Sequence, residues 1–225
     1  MPWPMVHFAI AVDISCSEPS PTLLLGSIAP DAIHMRGDVT REDKGKTHLV
    51  SNGKFPSIDT IKNELLTCLN KRTEPDWKEY VLGYFAHIYA DIRWTETIYA
   101  DFEKNFQGNP EDIRKTYNQE VSQIEFNLLK SEQWADMVLR KLRISSAYTM
   151  DSLVTETEVN GYRDVKLEWL RNGGNEPKIQ PVYFSDDAVR KFIDATAAEF
   201  KVLLSDWGSS DSMITGLELA DHHKI

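Results

Sequence analysis

Two cysteines, Cys16 and Cys68, stand in 225 residues, and no short spacing joins them. That count excludes a disulfide framework and a Cys-rich structural zinc motif, and the thiols read as reduced and cytosolic. Long apolar runs are missing too. No stretch approaches the roughly 20 apolar residues of a membrane span, so no transmembrane segment is expected. The opening Met1-Pro-Trp-Pro-Met-Val-His7 lacks the basic region of an export signal, and its apolar run is cut by His7 and Asp13. The expected location is therefore cytoplasmic. Positive charge is scarce: 25 Lys and Arg face 35 Asp and Glu, leaving a net charge of -10. Such a balance disfavours nucleic acid and anionic lipid surfaces, although a local cationic centre can still hold a phosphate. Strand-like alternation is rare, and neither an internal repeat nor a low-complexity segment occurs.

The 41% of hydrophobic residues suffice for a sizeable core, and their spacing is helical. The expected fold is all-α, a single compact multi-helix domain over residues 1–206 with a mobile tail at 207–225. Helices are expected from Met5 to about Ile14, with Pro4 near the start, and from Thr22 to Ala29, stopped by Pro30. Arg36 to Phe55 is polar and has no hydrophobic period, so Arg41 to His48 reads as a loop. Further helices follow at about 57–70, 76–106 and from Asn109, then at about 132–143, 156–171 and 186–206. The helix opening at Asn109 carries a core stripe of Ile113, Tyr117, Ile124 and Leu128. Glu120 falls on that stripe, where a leucine would be the ordinary choice. Glu125 reads as lying off it.

Histidine is unevenly spread. His7, His34, His48 and His87 fall in the first 91 residues, and none follows until His222 and His223. His87 and Asp91 sit four apart in the apolar run Tyr80 to Asp91, so imidazole and carboxylate can point into one small volume. Burying them is costly unless they are paired or coordinated. Imidazoles with carboxylates and no thiolates suit zinc, iron or manganese in a catalytic or exchangeable centre. Spacing alone does not join His7, Asp31, His48 and the 87/91 pair into one site.

Four pieces occur in an order that resembles the zinc-dependent phospholipase C family, the helical domain also found at the amino end of glycosylphosphatidylinositol phospholipase D. They are Val6-His7-Phe-Ala-Ile-Ala11, Leu25-Gly-Ser-Ile-Ala-Pro-Asp31, Lys46-Thr-His48 and Leu82-Gly-Tyr-Phe-Ala-His87-Ile-Tyr-Ala-Asp91. The similarity covers about residues 1–95 and implies a helical fold of the phospholipase C/nuclease type. By this resemblance His7, Asp31, His48, His87 and Asp91 are metal ligands, with Asp31 and Asp91 the bridging and catalytic carboxylates. Family members hold three zincs, using an amino-terminal tryptophan and further histidines that this chain lacks. Trp3 is not the first residue, so an amino-terminal ligand is not expected. Glu120 is the substitute carboxylate, and one or two ions are expected.

The function so implied is metal-dependent hydrolysis of a small-molecule or lipid phosphoester, phospholipase C-like, with an activated water as nucleophile. A nucleotidase or nuclease on the same fold would need base-stacking faces, for which Trp77, Tyr89 and Trp94 are available. A non-catalytic metal-binding module is the alternative from a different class. His34 is a further possible ligand, Tyr84 and Tyr117 are possible pocket residues, and Arg36, Lys44 and Lys46 around the His48 segment could meet a phosphate, although ordinary solvated charges are the simpler reading. Nothing in the sequence indicates an oligomeric state.

Overall fold

A helix that is apolar on every side must be surrounded, and the first helix, α1 (Pro4–Ile14), is of this kind. Nine of its 11 residues are buried, His7 among them, and it packs against four later helices. The chain is described from a computed structural model covering residues 3–15 and 18–210, the side chains of 209 and 210 excepted. Among the described residues there are ten α-helices and no strand, only isolated bridges at Ser51–Lys54 and Met150–Val154. The all-α expectation therefore holds.

The second short helix, α2 (Pro21–Gly26), is capped by Ser20, whose side chain accepts from the Leu23 N–H. Contrary to the expectation of a helix stopped by Pro30, α2 ends at Gly26 and Pro30 lies inside a 3₁₀ stretch, Ala29–Arg36, that carries Asp31 and His34. Arg41–Thr47, read as a loop, is a helix, α3. It has no apolar stripe, and a reciprocal capping box between Thr40 and Asp43 starts it instead. Its end is closed by Leu49 in the left-handed region, φ 56°, and by the Val50 N–H donating to the Gly45 carbonyl. His48 is thus a helix cap rather than a loop residue. Asn52 and Gly53 both have positive φ, the signature of a tight hairpin turn, and the Ser51–Lys54 bridge closes it.

Helix α4 (Ile58–Leu69) is capped by Ser57. The long apolar run forms α5 (Pro75–Trp94), buried without interruption from Tyr80 to Ile92. The region read as one helix to about 106 is broken by a π-helical turn, Thr95–Tyr99, before α6 (Ala100–Asn105). Helices α7 (Ile113–Ser131), α8 (Ala135–Ile144), α9 (Glu156–Arg171) and α10 (Asp186–Ser210) complete the bundle. Ser185 caps α10 through the Ala188 N–H. Helix α10 runs to Ser210, past the helix end expected at about 206, and Trp207 is buried. Positions 211–225, with His222 and His223, lie outside the described residues, as does Cys16; Cys68 is a buried free thiol.

Helix α5 is the hub, packing on α1, α2, α4, α10 and the 3₁₀ stretch. Its approach to α2 depends on two glycines. A Cβ at Gly83 would lie 2.2 Å from the Leu23 carbonyl oxygen, and one at Gly26 would lie 2.1 Å from that of Tyr80. The two backbones touch there, one turn before His87.

Candidate metal centre

His7 comes from α1, Asp31 from the 3₁₀ stretch, His48 from the end of α3, and His87 and Asp91 from one face of α5. All are buried, His7, His48, His87 and Asp91 at no more than 2% exposure. His48 Nδ1–H donates to the Lys44 carbonyl at 2.9 Å, and His87 Nδ1–H donates to the Ser27 carbonyl at 2.8 Å. These carbonyls fix the tautomer, so in their neutral forms both rings turn a bare Nε2 lone pair inward. The two Nε2 atoms face each other at 3.2 Å. The His7 ring stacks on that of His87, centroids 3.8 Å apart.

The carboxylates crowd the same volume. Asp91 Oδ2 is 3.2 Å from His48 Nε2 and 3.6 Å from His87 Nε2, and Asp91 Oδ1 is 3.7 Å from His7 Nε2. Asp31 Oδ1 is 3.5 Å from His48 Nε2. Most of these separations are too long for hydrogen bonds. Neither nitrogen of His7 and neither oxygen of Asp91 has a hydrogen-bond partner of sound geometry. Such orphaned buried groups require an explanation, and an ion is one. Donors bound at about 2.0–2.2 Å to one tetrahedral ion stand roughly 3.3–3.6 Å from each other, which is the spacing seen here. Two overlapping triplets, His7–His87–Asp91 and Asp31–His48–His87, bring their donor atoms within 4.8 Å of one another. These groups can hold a metal ion.

Without an ion, the cluster has more acceptors than donors. Burial opposes a charge on His48, but Asp31 and Asp91 beside it outweigh burial and push its pKa up to about 9. Burial, helped by the neighbouring His87, lowers His7 to about 3 and keeps it neutral. Burial would raise both aspartates. Lys44 and His48 nevertheless hold Asp31 well below the usual carboxylate range, and His87 and His48 do the same for Asp91. A metal cation would take over the role of the His48 proton.

The other sequence-derived candidates lie elsewhere. Glu120 belongs to neither triplet: its Oε2 accepts from the backbone N–H groups of Tyr183 at 2.8 Å and Phe184 at 3.2 Å, holding the segment before α10. Glu125, read as off the core stripe, is fully buried. Its carboxylate accepts the Met5 N–H at 2.9 Å and so caps α1, where Trp3 offers no side-chain cap. Val121 and Leu128, at i−4 and i+3, give the periodic signal that marks its burial. Burial raises Glu125 to about 8. Tyr84 donates to the Thr47 carbonyl at 2.7 Å and fixes the end of α3; Tyr117 accepts from Trp94 Nε1. Trp94 is fully buried, Trp77 packs on Tyr80 and Tyr148, and Tyr89 donates to Glu199, so none of these rings is presented to a base. Arg36 pairs with Glu158.

From sequence Lys44 is a loop charge that could meet a phosphate, not a partner of the cluster, and Tyr162 is no site residue. Lys44 Nζ lies 2.9 Å from Asp31 Oδ1 and donates to His34 Nε2 at 3.3 Å, leaving His34 at the edge and outside both triplets. The Tyr162 hydroxyl on α9 approaches Asp31 Oδ2 at 3.5 Å. Lys44 has a usable signal, since it stands one helical turn before His48. Tyr162 has none, being 131 positions from its partner. No helix among the described residues is long and apolar enough to cross a membrane. Searched against family models, curated proteins and solved structures, the chain matches none.

Proposed function

We propose that the chain is a metal-dependent hydrolase of phosphoesters, phospholipase C-like in its chemistry, with one or two zinc ions on His7, Asp31, His48, His87 and Asp91. The observation that carries this reading is the shortage of protons in the cluster: inward-facing imidazole lone pairs and carboxylate oxygens stand at ligand-to-ligand spacing with too few hydrogen-bond donors. Nitrogen and oxygen donors without thiolates suit zinc, with iron or manganese as the other ions for such a set. When bound, such ions lower the pKa of water towards neutrality and offset charge developing on phosphoryl oxygens.

The residues then divide the work. The Ser27 and Lys44 carbonyls hold the imidazoles of His87 and His48 in one tautomer. Glu125, through Met5, anchors the helix that bears His7. Asp31, whose side chain is 12% exposed while that of Asp91 is 0% exposed, is the carboxylate that water can reach. It takes the proton that an attacking water loses. The deep burial of His7, His87 and Asp91 favours a structural role for that triplet. A non-catalytic metal-binding module is therefore the second reading.

Elemental analysis of tag-free protein tests both, comparing wild type with the Asp31→Asn/His87→Ala double variant. We expect about one to two equivalents of zinc, iron or manganese in wild type and their loss in the variant. Turnover of a phosphodiester such as bis(4-nitrophenyl) phosphate by loaded protein supports the hydrolase. Metal without turnover on a panel of phosphoesters favours the module. No metal after reconstitution removes both.

A further inference from the structure

Beside the cluster, α3 and the turn that follows it enclose a cleft of about 960 Å³. Its lining includes Arg41, Lys44, Lys46, His48, Val50 and Phe55, with Glu42 as the only acidic side chain. Three cations against one carboxylate make this a locally positive wall on a chain of net charge -10. Arg41 has no ion-pair partner among the described residues. Lys46 is held by Glu42 at 3.6 Å and Asp43 at 3.5 Å, contacts that exposed side chains give up readily. Val50 and Phe55 supply a small apolar face, and the Asn52-Gly53 turn fixes the wall that bears them.

We propose that this cleft binds a small organic phosphate, with Arg41 and Lys46 holding the anion, Phe55 and Val50 the organic group, and Lys44 passing the phosphoryl end to the cluster. The volume is that of a small-molecule site. Two apolar side chains do not make a groove for acyl chains, so the ligand is a water-soluble ester or a headgroup rather than a whole lipid. Lys44 is the link between cleft and cluster. Its ammonium sits on Asp31 Oδ1 at 2.9 Å and also lines the cleft. A cation taken up by Asp31 competes for that oxygen and releases Lys44 towards the anion, so ion and phosphate bind with positive linkage, each raising the affinity of the other. Only this last link rests on the reading of the cluster as a metal centre.

Titration calorimetry with phenyl phosphate and with inorganic phosphate tests the proposal, on metal-free and on zinc-loaded protein. Wild type is expected to bind phenyl phosphate saturably without metal and more tightly with zinc. The Arg41→Ala/Lys46→Ala variant, altered only at exposed positions of α3, loses roughly tenfold to hundredfold in affinity, as removal of charged donors requires. Phe55→Leu, which keeps an apolar side chain in place, weakens phenyl phosphate but not inorganic phosphate. Lys44→Ala abolishes the gain from zinc. Absence of saturable binding at about 1 mM, wild-type affinity in Arg41→Ala/Lys46→Ala, or an equal loss from Lys191→Ala on α10 overturns the cleft as a phosphate site. Phenyl phosphate bound by protein that takes up no zinc, iron or manganese supports the cleft while removing the hydrolase. Zinc bound without phenyl phosphate overturns the cleft and leaves the metal centre standing.

Discussion

Asp91 on α5 and Glu125 on α7 are equally withdrawn from water, each at 0% exposure, yet their surroundings differ in the supply of donors. Glu125 receives the Met5 N–H at the positive end of α1, and Glu120, a little earlier on the same helix, receives two backbone N–H groups. Around Asp91 there are imidazole nitrogens at 3.2–3.7 Å and no hydrogen bond of sound geometry to either oxygen. A buried carboxylate by itself therefore says little about ligand binding. What separates the two regions is whether the protein has already provided the protons.

The difference is open to test, the largest effect coming first. Zinc at about a thousandfold above its Kd should stabilise the chain by about 4 kcal/mol, a Tm rise of roughly 8–16 °C at this size. Chelation should reverse the rise, and the Asp31→Asn/His87→Ala variant should lack it in the same calorimetric scan. An equal rise in that variant would mean that the donor-poor cluster is not where zinc binds.

On the donor-supplied side, Glu125 has a folded-state pKa of about 8 against its ordinary 4.5. Between those values the native state holds a proton that the unfolded chain has released. Its contribution to stability is thus complete below 4.5 and is lost as pH rises through 8. The slope is up to about 1.4 kcal/mol per pH unit. Urea denaturation against pH should show Glu125→Gln without this fall relative to wild type; parallel curves would mean that Glu125 is charged in the folded state.

Glu120→Ala should cost about 1–3 kcal/mol by stranding the Tyr183 and Phe184 N–H groups, with zinc content unchanged. Loss of zinc in that variant would return Glu120 to the ligand set. The smallest effect belongs to Thr40→Ala, about 1 kcal/mol from the broken capping box. Amide exchange should rise along α3 and leave α7 as it was; a uniform rise would show that α3 does not open by itself.

How far the sequence could be read follows from the same physics. Helices with an apolar stripe, such as α4, α5 and α9, announce themselves by period, and His87 with Asp91 stands out because polar groups interrupt such a stripe. Helix α3 does not, since Arg41 to Thr47 offers only polar side chains, and its support comes from Thr40 and from the Tyr84 hydroxyl far along the chain. Lys44 was hidden with it: in a loop it is a solvated charge, on a helix it stands one turn from His48 and reaches Asp31. Glu120 looked like a ligand because a carboxylate on a core stripe must be compensated. Its compensation is the backbone at 183 and 184, which no local pattern reveals.

The contact of α2 with α5 through Gly26 and Gly83 sets where His87 points. The Ser27 carbonyl that holds its Nδ1 is positioned by main chain against main chain, with no flexible side chain between them. That spacing has almost no slack. The imidazole is aimed when the chain folds, so an ion taken up at His87 would demand little reorganisation of that side chain.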